Sequence, residues 1–145
     1  MNLCHIVGAG DFHPSLIQRT EGDLIIAADA GFAALKEAGI TPQVYIGDGD
    51  SLGFVPQAET VKDDTDTLAA LRWALENGWR HFRLYGALGG KRPSHSLANI
   101  QLLSFLKERG AEGIILDPRC KMELLERETR RFESQSGYFS LFALE

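Results

Sequence analysis

The stretch Gly47-Asp48-Gly49-Asp50-Ser51 sets two carboxylates two residues apart with only glycine between them, directly after the apolar run Val44-Tyr45-Ile46. Like charges that close repel. Either the segment is a tight turn, which Gly and Asp both favour, or a cation relieves the repulsion. Residues i and i+2 of an extended segment face the same way, about 7 Å apart at Cα, so Asp48 and Asp50 can both aim at one ion while Gly49 keeps the approach open. Hard carboxylate oxygens with phosphate nearby suit Mg²⁺ better than zinc. Asp29 follows a second apolar run, Leu24-Ile25-Ile26-Ala27-Ala28. If both runs are parallel strands, their ends lie on one side of the sheet, and the three Asp residues reach one edge where ligands bind.

Two further segments carry charge that could serve the same edge. In Lys62-Asp63-Asp64-Thr65-Asp66, Asp64 or Thr65 can cap a helix while Asp66 complements its dipole. Caps alone would account for that pattern, but Lys62 beside Asp63 also supplies a cation for an anionic substrate. The segment GALGGKRPSHSLAN, Gly86 to Asn99, follows an apolar run and opens a helix. There Gly89 and Gly90 let the backbone approach phosphate oxygens, Lys91 and Arg92 add positive charge, and the helix N-terminus adds a favourable dipole. It is not a Walker A loop, because no G-x-x-x-x-G-K-[ST] occurs. Val7-Gly8-Ala9-Gly10-Asp11 is another glycine turn, read as mainly structural because the third glycine of a dinucleotide fingerprint is missing. Cys4 and Cys120 stand far apart with no Cys-x-x-Cys, so no zinc site is expected. Cys4 reads as a small buried hydrophobe, and His13 and His81 as loop or edge residues.

The elements that must position these groups alternate between apolar runs and helical patterns, the mark of a mostly parallel sheet covered by helices. Strands are expected at Leu3–Val7, Leu24–Ala28, Val44–Ile46, His81–Tyr85 and Gly113–Leu116. Helices are expected at Phe32–Ala38, at Asp66–Glu76 with Leu68, Leu71 and Leu75 on one face, and from Ser96 to Arg109, each closed by a glycine. The fold class is α/β, a Rossmann-like three-layer sandwich. After Pro118 the texture changes to alternating segments and a Ser136-Gly137 turn, pointing to antiparallel pairing, with a helix over Met122–Arg130 as the competing reading. Residues 1–120 are therefore expected to form the catalytic α/β domain, and 121–145 the beginning of a C-terminal β domain that continues beyond Glu145.

The 145 residues suit a globular domain, and a 44% hydrophobic share supplies its core. A formal net charge of −5 argues against nucleic acid as a main partner. No apolar run approaches the roughly 20 residues that span a bilayer, and the N-terminus lacks a signal peptide's basic and apolar regions, so a soluble cytoplasmic protein without membrane contact is expected.

Taken in order, Asp29-Ala30-Gly31, Gly39-Ile40-Thr41-Pro42, GDGDS, KDDTD and GALGG…HSLAN resemble the catalytic domain of thiamine pyrophosphokinase. That family's usual forms are D-x-G, G-I-x-P, G-D-F-D-S, K-D-x-T-D and G-A-x-G-G-R-x-D-H-x-L-A-N. Five motifs in one order are far more specific than any one of them. The resemblance implies pyrophosphoryl transfer from ATP to the hydroxyethyl oxygen of thiamine, with release of AMP, in a homodimer. It implies Mg²⁺ on Asp48, Asp50 and Asp29, with Asp66 on the thiamine side as orienting group or base. It also implies substrate or nucleotide contacts from Asp29, Gly31, Ser51, Lys62, Asp63, Thr65, Gly89, Gly90, Lys91, Arg92, His95 and Asn99. Gly49 stands where the family has Phe, Ser94 where it has Asp, and Lys91-Arg92-Pro93 makes the loop one residue longer. Those departures motivate two alternatives: a nucleotide- and Mg²⁺-binding relative without thiamine transfer, or a non-catalytic α/β module whose Asp residues are turns and caps.

Overall fold

The computed structural model of the chain describes residues 1–47, 65–133 and 136–144. Strands β1 (Cys4–Val7), β2 (Leu24–Ala28), β3 (Val44–Ile46), β4 (His81–Tyr85), β5 (Glu112–Leu116) and β6 (Lys121–Glu123) form one sheet in the order β3-β2-β1-β4-β5-β6. The pairs β1–β2, β2–β3, β1–β4 and β4–β5 are parallel, and β6 runs antiparallel to β5 with Ile115 opposite Met122. The inner strand β2 reads as a continuous apolar run, and β1 does so but for His5, because both are covered on both faces.

Alternate strand residues go to opposite layers. Cys4, Ile6, Ile26, Phe82 and Leu84 pack under helices α2 (Asp66–Glu76) and α3 (Pro93–Glu108) through Ala70, Leu71, Ala74, Leu103 and Leu106. Val7, Ile25, Ala27, Tyr45 and Tyr85 face the other side, against Leu35 of helix α1 (Gly31–Glu37) and against Phe12, Leu16 and Ile17 around a 3-10 turn at Pro14–Leu16. Leu71 and Leu106 are fully buried, each contributing about 2–3 kcal/mol by leaving water. The three-layer α/β expectation thus holds, and Cys4 is a fully buried hydrophobe.

One polar group sits within the second layer. His5 is buried, with Nε2 3.1 Å from Asp23 Oδ2 and Nδ1 2.9 Å from the Tyr85 hydroxyl. An ionised carboxylate only accepts, so Nε2 carries the ring proton and Tyr85 donates to Nδ1. Asp23 also accepts from the backbone N–H of Leu3 (2.8 Å) and of Thr20 (2.9 Å). Burial works against its charge, but these hydrogen bonds outweigh it and hold the carboxyl at about 2. Burial pushes the His5 imidazolium below its usual range despite the Asp23 hydrogen bond, and pushes the Tyr85 hydroxyl up to about 12.

Helix α2 and strands β2, β3 and β4 have the expected bounds. Helix α3 starts three residues earlier than expected, at Pro93, because proline is preorganised for the first helical position and has no N–H to leave unpaired there. The competing helix over Met122–Arg130 does not form. Main-chain pairing of β6 with β5 wins over helix propensity, and the following chain is tied down by ion pairs of Arg130 with Glu123 (3.1 Å) and of Lys107 with Glu128 (3.7 Å). Among the described residues no helix is long and apolar enough to cross a membrane.

Candidate active site

The chain moves outward from β1 to β2 and β3, then returns to place β4 on the other side of β1. Loops leaving β1 and β4 therefore diverge in sequence but start side by side, the switch point at which open α/β sheets bind ligands. Here the loops stay paired past the strands: Gly8 N–H donates to Tyr85 O (2.8 Å), Gly10 N–H to Gly86 O (2.6 Å) and Asp11 N–H to Leu88 O (2.8 Å). A cavity of about 730 Å³ opens above them, within the usual size for a small-molecule site. Ala9 and Gly10 line it from the β1 loop, Ala28 and Asp29 from the end of β2, and Thr65, Asp66 and Thr67 from the start of α2. Gly86, Ala87 and the Gly89–Arg92 loop form the next wall, with His95 and Asn99 of α3.

Asp29 has φ of 46°, a left-handed conformation rarely adopted by residues other than glycine. It is held there from both sides: its N–H donates to Ile46 O (2.9 Å) and its carbonyl accepts from Phe32 N–H (3.1 Å). The Tyr45 hydroxyl reaches Asp29 Oδ1 at 3.5 Å. Such over-determined strain concentrates at functional sites. Thr65, with extended backbone, is the cap of α2; its Oγ1 accepts from Leu68 N–H (3.2 Å) and leaves Asp66 as the acidic residue of the first turn. The cap reading is thus correct for Thr65, yet both residues also line the cavity.

Between β4 and α3, Gly89 and Gly90 have φ of 76° and 80°. A Cβ on Gly89 would also collide with the Asp11 carboxylate, so this position needs glycine for both conformation and space. Gly89 N–H donates to Ser96 Oγ (3.1 Å), which closes the loop onto the helix. Lys91 and Arg92 are exposed at the lip, and Arg92 takes the extended cap position of α3. The Asn99 side-chain nitrogen donates to Ala87 O at 2.8 Å.

Arg119 braces the rim. Its guanidinium lies 2.8 Å from Asp11 and 3.0 Å from Asp117, linking the loop after β1 to the loop after β5. Burial raises the Asp117 carboxyl, but hydrogen bonds from Arg119 prevail and hold it below its usual range.

Ten of the fifteen residues expected at the site are described by the structure, and nine of them share this cavity: Asp29, Thr65, Asp66, Gly89, Gly90, Lys91, Arg92, His95 and Asn99. Gly31 lies outside its lining. It is buried at the start of α1, where a Cβ would strike Val7 O, so it lets the helix close on β1. Asp48, Asp50, Ser51, Lys62 and Asp63 lie outside the described residues. Sequence reasoning undervalued Ala9 and Gly10, whose loop walls the cavity; the signal was the glycine turn after the first apolar run. The carboxylates of Asp29 and Asp66 are hard oxygen donors suited to Mg²⁺, although no group of three His, Cys, Asp or Glu that could hold a metal occurs among the described residues.

Residues 17–115 match the family described as "Thiamin pyrophosphokinase, catalytic domain". A thiamine pyrophosphokinase of Bacillus subtilis (strain 168) is 38% identical over 120 residues, covering 71% of this chain and 55% of the relative. The crystal structure of thiamine pyrophosphokinase from Bacillus subtilis aligns with a TM-score of 0.70 at 31% identity, over 80% of this chain and 61% of that one. That of thiamin pyrophosphokinase from Geobacillus thermodenitrificans aligns with a TM-score of 0.66 at 32% identity, over 79% and 59% of the two chains. The chain thus spans between 55% and 61% of the length of these relatives.

Proposed function

Because this chain belongs to the thiamin pyrophosphokinase catalytic-domain family, we propose that it transfers the pyrophosphoryl group of ATP to thiamine. The observation that carries this reading is the convergence on one switch-point cavity of two carboxylates, Asp29 and Asp66, with the basic loop of Lys91 and Arg92. In that reaction the thiamine hydroxyl oxygen attacks the β-phosphorus of ATP, the bond from that phosphorus to the bridging oxygen of the α-phosphate breaks, and AMP leaves with the electron pair. Lys91 and Arg92 neutralise charge on the transferring phosphates and hold them in line. Asp66, fixed in the first turn of α2 by the Thr65 cap, orients the hydroxyl and accepts its proton. Asp29 would hold Mg²⁺ together with Asp48 and Asp50, and the bound ion would offset phosphate charge and fix the triphosphate's shape. Proton acceptance from an alcohol needs a group within hydrogen-bond reach, which the position of Asp66 on the cavity wall supports.

The homodimer implied by the family resemblance belongs to the same reading, and the exposed Tyr138, Phe139 and Phe142 offer apolar surface for such a contact. The test is AMP release by the chain with Mg²⁺-ATP, with and without thiamine. Thiamine-dependent release that falls at least a hundredfold in Asp66→Asn supports the assignment. Tight binding of an ATP analogue without any thiamine-dependent AMP would favour the nucleotide-binding relative instead, the reading that Gly49 and Ser94 motivate.

A further inference from the structure

Asn99 is 6% exposed, and the donation from its nitrogen to Ala87 O (2.8 Å) fixes the orientation of its amide. Turning the amide over would oppose two acceptors, so Oδ1 is the other end. Among the described residues, Asn99 Oδ1 is the buried side-chain polar atom without a hydrogen-bond partner. A buried acceptor left unmade is costly, and in a folded protein it calls for a specific explanation. Asn99 lies on the wall of the switch-point cavity, where a ligand could provide the missing donor.

The chemistry of Oδ1 restricts that ligand. A carbonyl oxygen only accepts, and ionised phosphate oxygens only accept, so the two cannot pair. The Asn99 nitrogen holds the Ala87 carbonyl with one of its two N–H bonds, so the atom of the amide left with no partner at all is the acceptor Oδ1. The positive charge suited to phosphate lies elsewhere on the rim, at Lys91 and Arg92. We propose that Asn99 Oδ1 accepts a hydrogen bond from a hydroxyl or amine of the non-phosphate part of a substrate, which makes Asn99 a specificity-determining residue that reads a donor rather than phosphate charge. This deepens the proposed function and rests on its placement of the site. A ligand lacking that donor is disfavoured, because Asn99 Oδ1 then stays buried and unpaired.

Calorimetric titrations test the idea on the full chain. Wild type and Asn99→Leu are titrated with Mg²⁺-tripolyphosphate, with a non-hydrolysable Mg²⁺-ATP analogue and with thiamine. The expected result is tripolyphosphate affinity within twofold of wild type, which also shows that the variant is folded, and about a tenfold loss for the ATP analogue or thiamine. Replacing hydroxyl or amine groups of that ligand by hydrogen, one at a time, should identify one whose loss costs wild type the same tenfold and the variant nothing. In wild type alone, the Asn99 side-chain amide resonances should shift with the donor-bearing ligand and stay in place with tripolyphosphate. Equal losses for all three ligands, no loss for any, or amide resonances that respond to tripolyphosphate would overturn the proposal. ATP-analogue binding that depends on Asn99, in a protein without thiamine-dependent AMP release, would sink the proposed reaction while leaving this assignment standing.

Discussion

His5 and Asn99 are both polar and both buried, one on strand β1 and the other on helix α3, yet their surroundings are opposite in kind. Both ring nitrogens of His5 are engaged, and the Asp23 that holds one of them takes two further backbone donors. Asn99 is matched at one end and unmatched at the other, beside a cavity. A closed polar network serves the fold, since nothing is left for a ligand to complete. An open one at a switch point serves binding. The comparison predicts that damage to the first group appears as lost stability with binding intact, and damage around the second as lost binding with modest loss of stability.

The largest effect is expected from Asp23→Ala, which leaves the His5 Nε2–H and the Leu3 N–H without their acceptor. A loss of about 3 kcal/mol in urea unfolding should follow, while a low-temperature titration with an ATP analogue should give wild-type affinity. Weakened binding at unchanged stability would reverse the comparison. Gly89→Ala comes next. The left-handed backbone and the Asp11 carboxylate both oppose a Cβ there, so about 2 kcal/mol of stability should go, with about tenfold weaker binding of the analogue. Gly90→Ala, where the added carbon meets nothing closer than Gly10 Cα at 3.9 Å, should cost about half as much.

Acid provides a gentler probe of the closed network. His5 titrates below its ordinary 6.5 in the folded chain, so the unfolded chain binds the proton first, and stability should begin to fall as pH drops below that value. Asp23, depressed from 3.8 to about 2, adds a second loss that starts near pH 4 and runs down through its folded value. Urea midpoints measured from pH 8 to pH 3 should therefore fall in two stages, the first absent in His5→Gln. A midpoint that rises on acidification contradicts the assignment of a neutral His5. The smallest effect is expected at Arg119, an exposed brace. Arg119→Ala should leave the urea midpoint nearly unchanged, because Asp117 keeps its bond from the residue 119 backbone N–H.

How much of this was legible in the sequence follows the range of the interactions. Helix α2 declares itself locally, through Thr65 as cap, apolar positions at helical spacing and Asn77-Gly78 as stop, and the apolar runs of β2, β3 and β4 are equally local. The convergence of Asp29, Asp66 and the Lys91–Arg92 loop was legible as well, because parallel strands must end on one side. The wall formed by Ala9 and Gly10 was not, since it depends on β4 being laid beside β1, an order that pattern alone does not specify. The His5 network was hidden for the same reason: its partners lie 18 and 80 residues away. Antiparallel pairing after Pro118 was legible in the alternating texture there, and Lys121–Glu123 does join β5 in place of the competing helix, because edge pairing is a tertiary gain that overrides local preference.

The central claim, that the β1–β4 switch point is the nucleotide site, is tested most directly by amide chemical shifts recorded as a Mg²⁺-bound, non-hydrolysable ATP analogue is added to the chain. The account predicts that, among the described residues, the largest shifts fall on Gly8–Gly10, Asp29, Thr65–Thr67 and Gly86–Arg92, with those at Thr20 and Asp23 unchanged. Saturable shifts centred instead on Ile17, Arg19, Ile40 and Thr41, which line a separate depression on the other side of the sheet, would contradict it.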